Sequence, residues 1–381
     1  MKIDNTNNNK IKIGVLFSQS GPMQVSETAH LRGVLLACDE INNSGGINGC
    51  MIDPIILDPK GDDRLYAEMA TELLLKHHTA VIFGCCSSSS RKAVLPIVEC
   101  FDGILFYPSV YEGFEYSPNI IYGGGVPNQL VLPLLKYIYS HYGRRIALVG
   151  SDYIYPREIN RIVNEFLNAS GGSVVEELYF PIGVSDSEMK AGITKIIAKN
   201  CDVILSTVVG KDGINLYQQY MNLRPEGSET PIASLTAFES EMMEVDENIR
   251  AGHLAIAPYF SSLDDGSEKS FAKLFQERYG SEASSCVYSK VAYSLVNIFA
   301  DAFRLSSQTD TDSLLAALSG SVFKSRSGGG FIDPDTNHLS LRSYIAKSTQ
   351  SGQFDILHKG EVVLADPYLM TYGLSEIEAL K

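Results

Sequence analysis

The chain has 381 residues, of which 45% are hydrophobic and 20% charged, and its formal net charge is −14. This length and composition argue against wholesale disorder and predict two globular domains, each with its own core. The acidic balance argues against direct contact with nucleic acid, which needs clustered Lys and Arg, and the pairs Arg91-Lys92 and Arg144-Arg145 are interpreted as isolated, solvated residues. No stretch approaches the roughly 18 apolar residues of a membrane helix, so no membrane insertion is expected.

The N-terminus and the cysteines bear on the compartment. The opening MKIDNTNNNKIKIGVLF lacks the long apolar core and the cleavage site of a signal peptide. The seven cysteines are odd in number and show no repeated CxxC spacing, which argues against zinc. Cys38, Cys100 and Cys201 lie in apolar segments and are predicted to be buried free thiols. These features favour the cytoplasm, and a periplasmic protein whose leader has been removed is the alternative.

Strands and helices alternate along most of the chain. In the first half, strands are predicted at 11–17, 52–57, 80–84 and 104–107, and helices at 27–43, 66–76 and 91–100. After the aromatic stretch 107–129 the alternation resumes, with helices at 130–142, 156–170, 187–199 and 213–222 and strands at 145–149, 173–180, 203–208 and 232–235. Short strands with helical crossovers predict parallel sheets covered by helices, so the fold class is α/β with two doubly wound lobes.

The final part of the chain has a different pattern. Beyond residue 247 we predict a strand at 254–260, helices at 267–279 and 288–305, a turn at Gly328-Gly329-Gly330, and short strands at 343–347 and 353–358. This pattern indicates a chain that crosses between the lobes more than once.

The loops after the parallel strands form the candidate ligand site, because doubly wound sheets bind ligands off the carboxyl ends of their strands. These loops are rich in hydroxyl and aromatic side chains, which suit a small, neutral, planar molecule. The candidate ligand-binding residues are Cys86, Ser87, Ser88, Tyr107, Ser109, Val110, Tyr153, Tyr155, Thr207, Val208 and Thr236.

Two of these loops allow more than one interpretation. The run 85–90 precedes the helix predicted to begin near Arg91, where Ser87, Ser88 and free backbone N–H groups would hold a ligand carbonyl or carboxylate. Ser89 or Ser90 is expected to cap that helix. Asp152 either accepts hydrogen bonds from a ligand NH2 group or caps the next helix.

Catalysis is not expected. None of the seven histidines lies in a candidate loop, so a nucleophile at Cys85 or Cys86 lacks a base. No G-x-S-x-G motif is present, and Gly123-Gly124-Gly125 matches neither a dinucleotide nor a phosphate-binding motif. The prediction is a binding protein with no catalytic residues, no metal and no cofactor.

Several segments, in their order along the chain, resemble those of a known protein family. They are FSQSG, GCCSSSSRKAVLP, YPSVYEGFEYSPNIIYGG, GSDYIYPRE, STVVG, PIASLT and APYFSS. With them the chain resembles the type I periplasmic-binding-protein fold, and most of all the cytoplasmic amide sensor that negatively regulates aliphatic amidase operons. The urea and short-chain-amide receptors of ABC transporters are similar as well.

The resemblance implies two lobes joined by three crossovers, with the ligand in the cleft between them. The implied lobes comprise residues 10–126 plus 257–328 and residues 127–256 plus 329–381. It also implies that an amide ligand meets Ser88, Tyr107, Ser109, Tyr155 and the Thr207-Val208 turn. Cys86, Ser109 and Val110 stand where the amide sensor has tyrosine, threonine and proline, so a ligand other than acetamide is considered.

The predicted function is a sensor for a small neutral amide or urea-like solute. In this interpretation it regulates amidase expression by sequestering a partner, an RNA-binding antiterminator protein. The alternative is the solute receptor of a urea or short-chain-amide ABC transporter, whose partner would be an ABC permease. A homodimer is expected only because two-fold dimers are the commonest assemblies.

Overall fold

The structure is a computed structural model that describes residues 9–263, 271–306, 310–319, 322–323 and 330–371. Its strands in chain order are β1 (Lys10–Leu16), β2 (Met51–Leu57), β3 (Val81–Gly84), β4 (Ile104–Tyr107), β5 (Ile120–Tyr122), β6 (Arg145–Ser151), β7 (Ser173–Phe180), β8 (Val203–Thr207), β9 (Ile232–Ser234), β10 (Leu254–Ala257), β11 (Val322–Phe323), β12 (Gly330–Phe331), β13 (Leu341–Ser348) and β14 (Phe354–Val363). Its helices are α1 (Gln24–Asn43), α2 (Asp63–Leu75), α3 (Ser88–Cys100), α4 (Val131–His141), α5 (Ile154–Ser170), α6 (Asp186–Ile197), α7 (Gly210–Leu223), α8 (Glu239–Met242), α9 (Phe271–Tyr279), α10 (Val287–Leu305) and α11 (Thr311–Leu318).

The chain divides into two compact units. The first comprises the described residues of Met1–Tyr111, Glu115–Gly125 and Asp264–Leu341. The second comprises those of Glu112–Phe114, Val126–Leu263 and Arg342–Lys381. Apart from the short segment 112–114, which belongs to the second unit, the chain changes from the first unit to the second at 125/126, one residue before the boundary 126/127 that the resemblance implies. The later changes fall at 263/264 and 341/342, after the predicted 256/257 and 328/329.

The first unit is built on a five-stranded parallel sheet of order β2-β1-β3-β4-β5. β3 and β4 are buried along their whole length, as expected of strands with helices on both faces. Phe83 of β3 and Phe106 of β4 stack with ring centroids 4.7 Å apart, and Phe299 of α10 meets both edge-on. The strand order reverses between β1 and β3, which is where such sheets bind ligands.

The second unit has a seven-stranded sheet of order β14-β13-β10-β9-β8-β6-β7. The pairs from β7 through β10 are parallel, whereas β13 pairs with β10 antiparallel. The β7-to-β10 part of this sheet is therefore parallel as predicted, and β13, within which a short strand is predicted at 343–347, adds an antiparallel pair that makes the sheet mixed. The prediction came from the alternation of strand and helix, and no such alternation precedes the two final strands.

Two local predictions need correction, and a third is not tested. The segment 107–129 contains β5, which pairs with β4 and belongs to the first sheet, whereas the sequence pattern predicts no strand there. Cys38 and Cys201 are buried free thiols, but Cys100 is exposed, because it ends α3 on the solvent side. The turn at 328–330 lies, apart from Gly330, outside the described residues. Among the helices described, none is long and apolar enough to cross a membrane.

Candidate functional site

Cys86, Ser87 and Ser88 lie together at the carboxyl end of β3. Cys85 adopts a left-handed conformation with φ of 67°, and this turns the chain from the strand into the helix. Helix α3 begins at Ser88, three residues before the predicted start, and Ser87 caps it by accepting a hydrogen bond from the Ser90 N–H at 3.0 Å. The prediction that Ser89 or Ser90 is the cap is therefore wrong.

Tyr107, Ser109 and Val110 follow the neighbouring strand β4. The Tyr107 side chain is fully buried, and its hydroxyl donates to the backbone carbonyls of Cys86 at 2.9 Å and of Val110 at 3.2 Å. This hydroxyl therefore ties the loop after β3 to the loop after β4. The six candidate residues of the first unit belong to these two neighbouring loops.

Ser109 has a buried partner in helix α1. Its hydroxyl lies 3.3 Å from Nε2 of His30, whose ring stacks on Phe17 with centroids 5.2 Å apart. Burial lowers the pKa of His30 to about 3, because the charged imidazolium loses its hydration. The imidazole is therefore neutral at physiological pH and presents no charge to the loop.

Arg91 is a residue whose role sequence reasoning missed. Its side chain is fully buried, and Nε donates to Oε1 of Glu115 at 2.7 Å. Lys92 meets the same carboxylate at 2.9 Å from a half-exposed position. The interpretation of Arg91-Lys92 as a solvated pair is therefore wrong for Arg91. The acidic partner is 24 positions away, at a spacing that matches no local pattern.

In the second unit, Tyr153 and Tyr155 follow β6. Helix α5 begins at Ile154, two residues before the predicted start, and so Tyr155 lies in its first turn. Tyr155 is buried, and its hydroxyl makes no hydrogen bond among the described residues, whereas Tyr153 is half-buried. Burial, followed by the nearby charge of Glu112, holds the pKa of Tyr155 well above its usual range, so the phenol stays protonated.

Asp152 does not cap the helix that follows it, so the capping alternative is wrong, whereas its contact with a ligand stays a prediction. Its carboxylate forms an ion pair with Arg157 at 2.7 Å, and both side chains are largely exposed. The residue before α5 is Tyr153, and no side chain caps this helix.

Thr207, Val208 and Thr236 lie at the carboxyl ends of the adjacent strands β8 and β9. The Thr236 hydroxyl donates to the Val208 carbonyl at 2.8 Å, and the Thr207 hydroxyl donates to the Val149 carbonyl at 3.4 Å. The Val209 N–H donates to the Ser151 hydroxyl at 3.2 Å, which links this loop to the end of β6. The five candidate residues of the second unit therefore share the carboxyl edge of one sheet.

A buried carboxyl group next to this edge was also missed. Glu239 begins α8, and its Oε1 accepts hydrogen bonds from the backbone N–H of Ser261 at 2.6 Å and from its hydroxyl at 3.1 Å. Complete burial raises the pKa of Glu239 to about 7. In the sequence Glu239 looks like a solvated first-turn acid, so no pattern marked it as buried.

The charged groups at these loops that form ion pairs do so within their own unit: Arg91 and Lys92 with Glu115 in the first, and Arg157 with Asp152 in the second. In the part of the chain that the structure describes, no group of three or more His, Cys, Asp or Glu side chains is placed to hold a metal ion. What the two sets of loops offer a ligand is mainly hydroxyl groups, aromatic rings and backbone polar groups.

Comparison with known proteins identifies one family and two similar proteins named for amino-acid binding. The family described as periplasmic binding protein domain matches residues 11–373. A protein of Brucella abortus named Leu/Ile/Val-binding protein homolog 7 is 24% identical over 382 residues, covering 93% of each chain. The leucine-, isoleucine-, valine-, threonine- and alanine-binding protein of Pseudomonas aeruginosa is 22% identical over 332 residues, covering 84% of each chain.

Solved structures of the same fold cover nearly the whole chain. The branched-chain amino acid transporter substrate-binding protein LivJ of Streptococcus pneumoniae, in complex with isoleucine, superposes with a TM-score of 0.80 at 21% identity, covering 93% of this chain and 99% of that one. A solute-binding protein of Rhodopseudomonas palustris in complex with 4-hydroxybenzoate gives 0.81 at 20% identity, covering 96% and 100%. These likenesses confirm the predicted fold class. Because the family match spans 11–373, this chain belongs to the periplasmic binding protein family.

Proposed function

We propose that the chain is a non-catalytic solute-binding protein that serves as an ABC transporter receptor for a small neutral amide or urea-like solute. Family membership supports the binding role, and the relatives whose names mention a transporter support the receptor role. A permease would then be its partner, and the extracytoplasmic side of the membrane its place of action. The regulatory role with an antiterminator partner has no comparable support, so we propose the receptor role in its place.

The main support for a neutral carbonyl ligand is the hydroxyl of Tyr155. This side chain is 4% exposed, and its hydroxyl has no hydrogen-bond partner among the described residues. The hydroxyl oxygen itself keeps some contact with solvent, so a ligand carbonyl that replaces water there gains the net value of one hydrogen bond between neutral groups, about 0.5–1.5 kcal/mol. Because the phenol is protonated, it would donate to a carbonyl oxygen, the acceptor that amides and urea share.

The pairing of charges supports a neutral ligand. A zwitterionic amino acid brings a carboxylate and an ammonium group, and each needs a partner once it is removed from water. Arg91, the buried cation in the candidate loops, already pairs with Glu115. Glu239 lies next to the Thr236 loop, but its pKa of about 7 disfavours the charged form that an ammonium group requires. The names of the relatives favour an amino acid instead, and so amino acids belong in the test.

Size sets the expected affinity. The best very small ligands gain at most about 1.5 kcal/mol per non-hydrogen atom, which for the four such atoms of urea gives a ceiling near 6 kcal/mol. This corresponds to a Kd of tens of micromolar at best.

A panel of ligands measured by thermal shift tests the proposal. Formamide, acetamide, propionamide and urea form the neutral set, with L-leucine and 4-hydroxybenzoate as the zwitterionic and anionic comparisons. We expect at least one neutral compound to raise Tm in a concentration-dependent manner, because a ligand that binds only the folded state stabilises it. A rise with leucine or 4-hydroxybenzoate and none with the neutral set would refute the proposed ligand class.

The Tyr155→Phe variant tests whether the Tyr155 hydroxyl donates to the ligand. Removal of the hydroxyl should weaken binding of the neutral ligand about 3- to 10-fold, equivalent to one hydrogen bond between neutral groups. The control is Tyr220→Phe, which removes a hydroxyl that donates to the Thr230 carbonyl at 2.7 Å elsewhere in the same unit, and it should bind like the wild type. Equal affinity of the wild type and Tyr155→Phe would exclude Tyr155 as the donor.

A further inference from the structure

We infer that Tyr107 positions the ligand loops of the first unit and does not itself contact the ligand, and that the buried Arg91–Glu115 pair holds Tyr107 in place. The inference builds on the proposed function and assigns a different role to a residue predicted to line the ligand site. Four features of the first unit support it: the hydroxyl of Tyr107, its ring, the charge pair below that ring, and the aromatic groups around the pair.

The Tyr107 hydroxyl is already engaged by the protein. It has one proton to donate, and the carbonyls of Cys86 and Val110 lie 2.9 and 3.2 Å from it. These carbonyls belong to the two loops that carry the candidate residues of this unit. One hydroxyl group therefore fixes the distance between the loops, and a ligand carbonyl would have to compete with two intramolecular acceptors for its proton.

The Tyr107 ring is held from one side by a cation. The guanidinium carbon of Arg91 lies 5.0 Å from the centroid of the Tyr107 ring and 4.4 Å from that of Tyr111. A buried guanidinium within about 6 Å of aromatic faces is attracted by them. Arg91 also donates to the Ser88 hydroxyl at 3.4 Å, so the same cation reaches the start of α3.

The cation is fixed by a buried carboxylate. Glu115 accepts from Nε of Arg91 at 2.7 Å and from Nη2 at 3.3 Å, a two-point contact that sets the plane of the guanidinium. Burial alone would raise the pKa of Glu115, but hydrogen bonds and charge from Arg91, with Lys92 in addition, together lower it. The carboxylate is therefore ionised at neutral pH, and the pair is a true ion pair.

Two further ring side chains extend this network beyond the pair. The Tyr122 hydroxyl donates to Oε1 of Glu115 at 3.2 Å, and the Tyr122 ring stacks on His338 with centroids 4.2 Å apart. Burial lowers the pKa of His338 to about 4, so it is neutral and adds no charge beside Arg91. The network therefore joins the loops after β3 and β4 to β5 through groups that face the protein interior.

Hydrogen exchange tests the positioning role without any ligand. In Tyr107→Phe the loops lose the hydroxyl that joins them, so peptides covering 85–91 and 108–112 should exchange roughly 5- to 10-fold faster than in the wild type. Peptides covering 145–151 in the other unit are the internal control and should not change. Unchanged exchange in the first two segments would overturn the inference, whatever ligand the protein binds.

A double-mutant cycle measured by ligand titration separates positioning from contact. If Tyr107 acts through the network, Tyr107→Phe and Arg91→Lys each weaken binding, and together they weaken it much less than the product of the single effects. Additive effects would overturn the inference. Val98→Ala, which leaves a cavity at a fully buried position of the same helix, is the stability control and should bind with wild-type affinity.

The two experiments fail in distinguishable ways. If no compound of the panel binds the wild type, the proposed function fails, while the exchange measurement still decides whether Tyr107 holds the loops. If a neutral ligand binds and the cycle is additive, the proposed function stands and the positioning role fails.

Discussion

Gly124→Ala should disturb the Ser109–Val110 loop, because this glycine leaves no room for a side chain. A Cβ atom at residue 124 would lie 1.9 Å from the backbone oxygen of Ser109, 2.1 Å from its carbonyl carbon and 2.5 Å from the backbone nitrogen of Val110. Ordinary contact begins at 3.4 Å, so the loop must retreat by about 1.5 Å. All three atoms belong to the backbone and cannot rotate away as a side chain would.

The expected loss of stability follows from the hydrogen bonds that this movement of the loop breaks. A retreat of that size stretches the bond from Ser109 to His30 at 3.3 Å and the bond from Tyr107 to the Val110 carbonyl at 3.2 Å beyond bonding distance. Overpacking costs about 1–3 kcal/mol, and each lost hydrogen bond about 1 kcal/mol. We therefore expect the free energy of unfolding to fall by about 3–5 kcal/mol, together with a loss of ligand affinity of tenfold or more.

Unfolding in guanidinium chloride followed by circular dichroism measures the first effect, because urea is itself a proposed ligand, and calorimetric titration measures the second. The chain has no tryptophan, so far-ultraviolet dichroism is the more direct signal. The matched control is Gly103→Ala, whose Cβ would meet the end of the Leu74 side chain at 2.7 Å, a group that can move. This control should lose some stability but keep its affinity. Wild-type stability and affinity in Gly124→Ala would refute the packing argument for this loop.

Three further predictions concern charge. Burial lowers the folded-state pKa values of His253 and His338 from 6.5 to about 4, so the stability they contribute is complete above pH 6.5. It is lost as the pH falls towards 4, at about 1.4 kcal/mol per pH unit for each group. Unfolding midpoints in guanidinium chloride from pH 7 to 5 should show the decline, and a flat profile would contradict it. The raised pKa of Glu239, about 7 instead of 4.5, acts in the opposite direction: the wild type loses stability as the pH rises from about 4.5 through 7. The free energy of unfolding of Glu239→Gln should therefore rise by about 2–3 kcal/mol relative to that of the wild type between pH 5 and pH 8. If the stability difference between the two proteins is the same at both pH values, the carboxyl group is already ionised at pH 5. Finally, Lys92→Ala should change the free energy of unfolding by less than about 1 kcal/mol, because Lys92 is half-exposed. Glu115→Ala should lower it by about 3–5 kcal/mol, because Arg91 is then buried without its carboxylate. Similar losses in the two variants would contradict this ranking.

The fold class could be predicted because strand and helix patterns repeat strongly. Buried strands such as VIFG at β3 and ILFY at β4 read as short apolar runs, and the helices between them have clear apolar faces. β5 was missed because its three residues follow a loop rich in Gly, Pro and Tyr, and a strand that short has no readable period. The strand β13 is predicted at 343–347, but its antiparallel pairing with β10 was not predictable, because that pairing depends on tertiary arrangement and not on its own sequence.

The loops of the candidate site were predictable, but the partners within them were not. Strand ends locate Cys86, Tyr107, Tyr155 and Thr236, since topology places ligand loops there. The burial of Arg91 was not predictable, because an Arg-Lys pair in a helix is usually solvated and its partner Glu115 lies in a separate loop. The starts of α3 and α5 were placed two or three residues late, because serine and tyrosine runs give weak signals for a helix start.

Calorimetric titration of the purified chain with urea, acetamide and L-leucine tests the central claim most directly. The account predicts saturable heat with a neutral amide or urea, a Kd no tighter than tens of micromolar, and an affinity that falls in Tyr155→Phe but not in Tyr220→Phe. It also predicts little dependence on ionic strength, since no ligand charge is involved. Saturable binding of leucine, with no heat from either neutral compound, would contradict it.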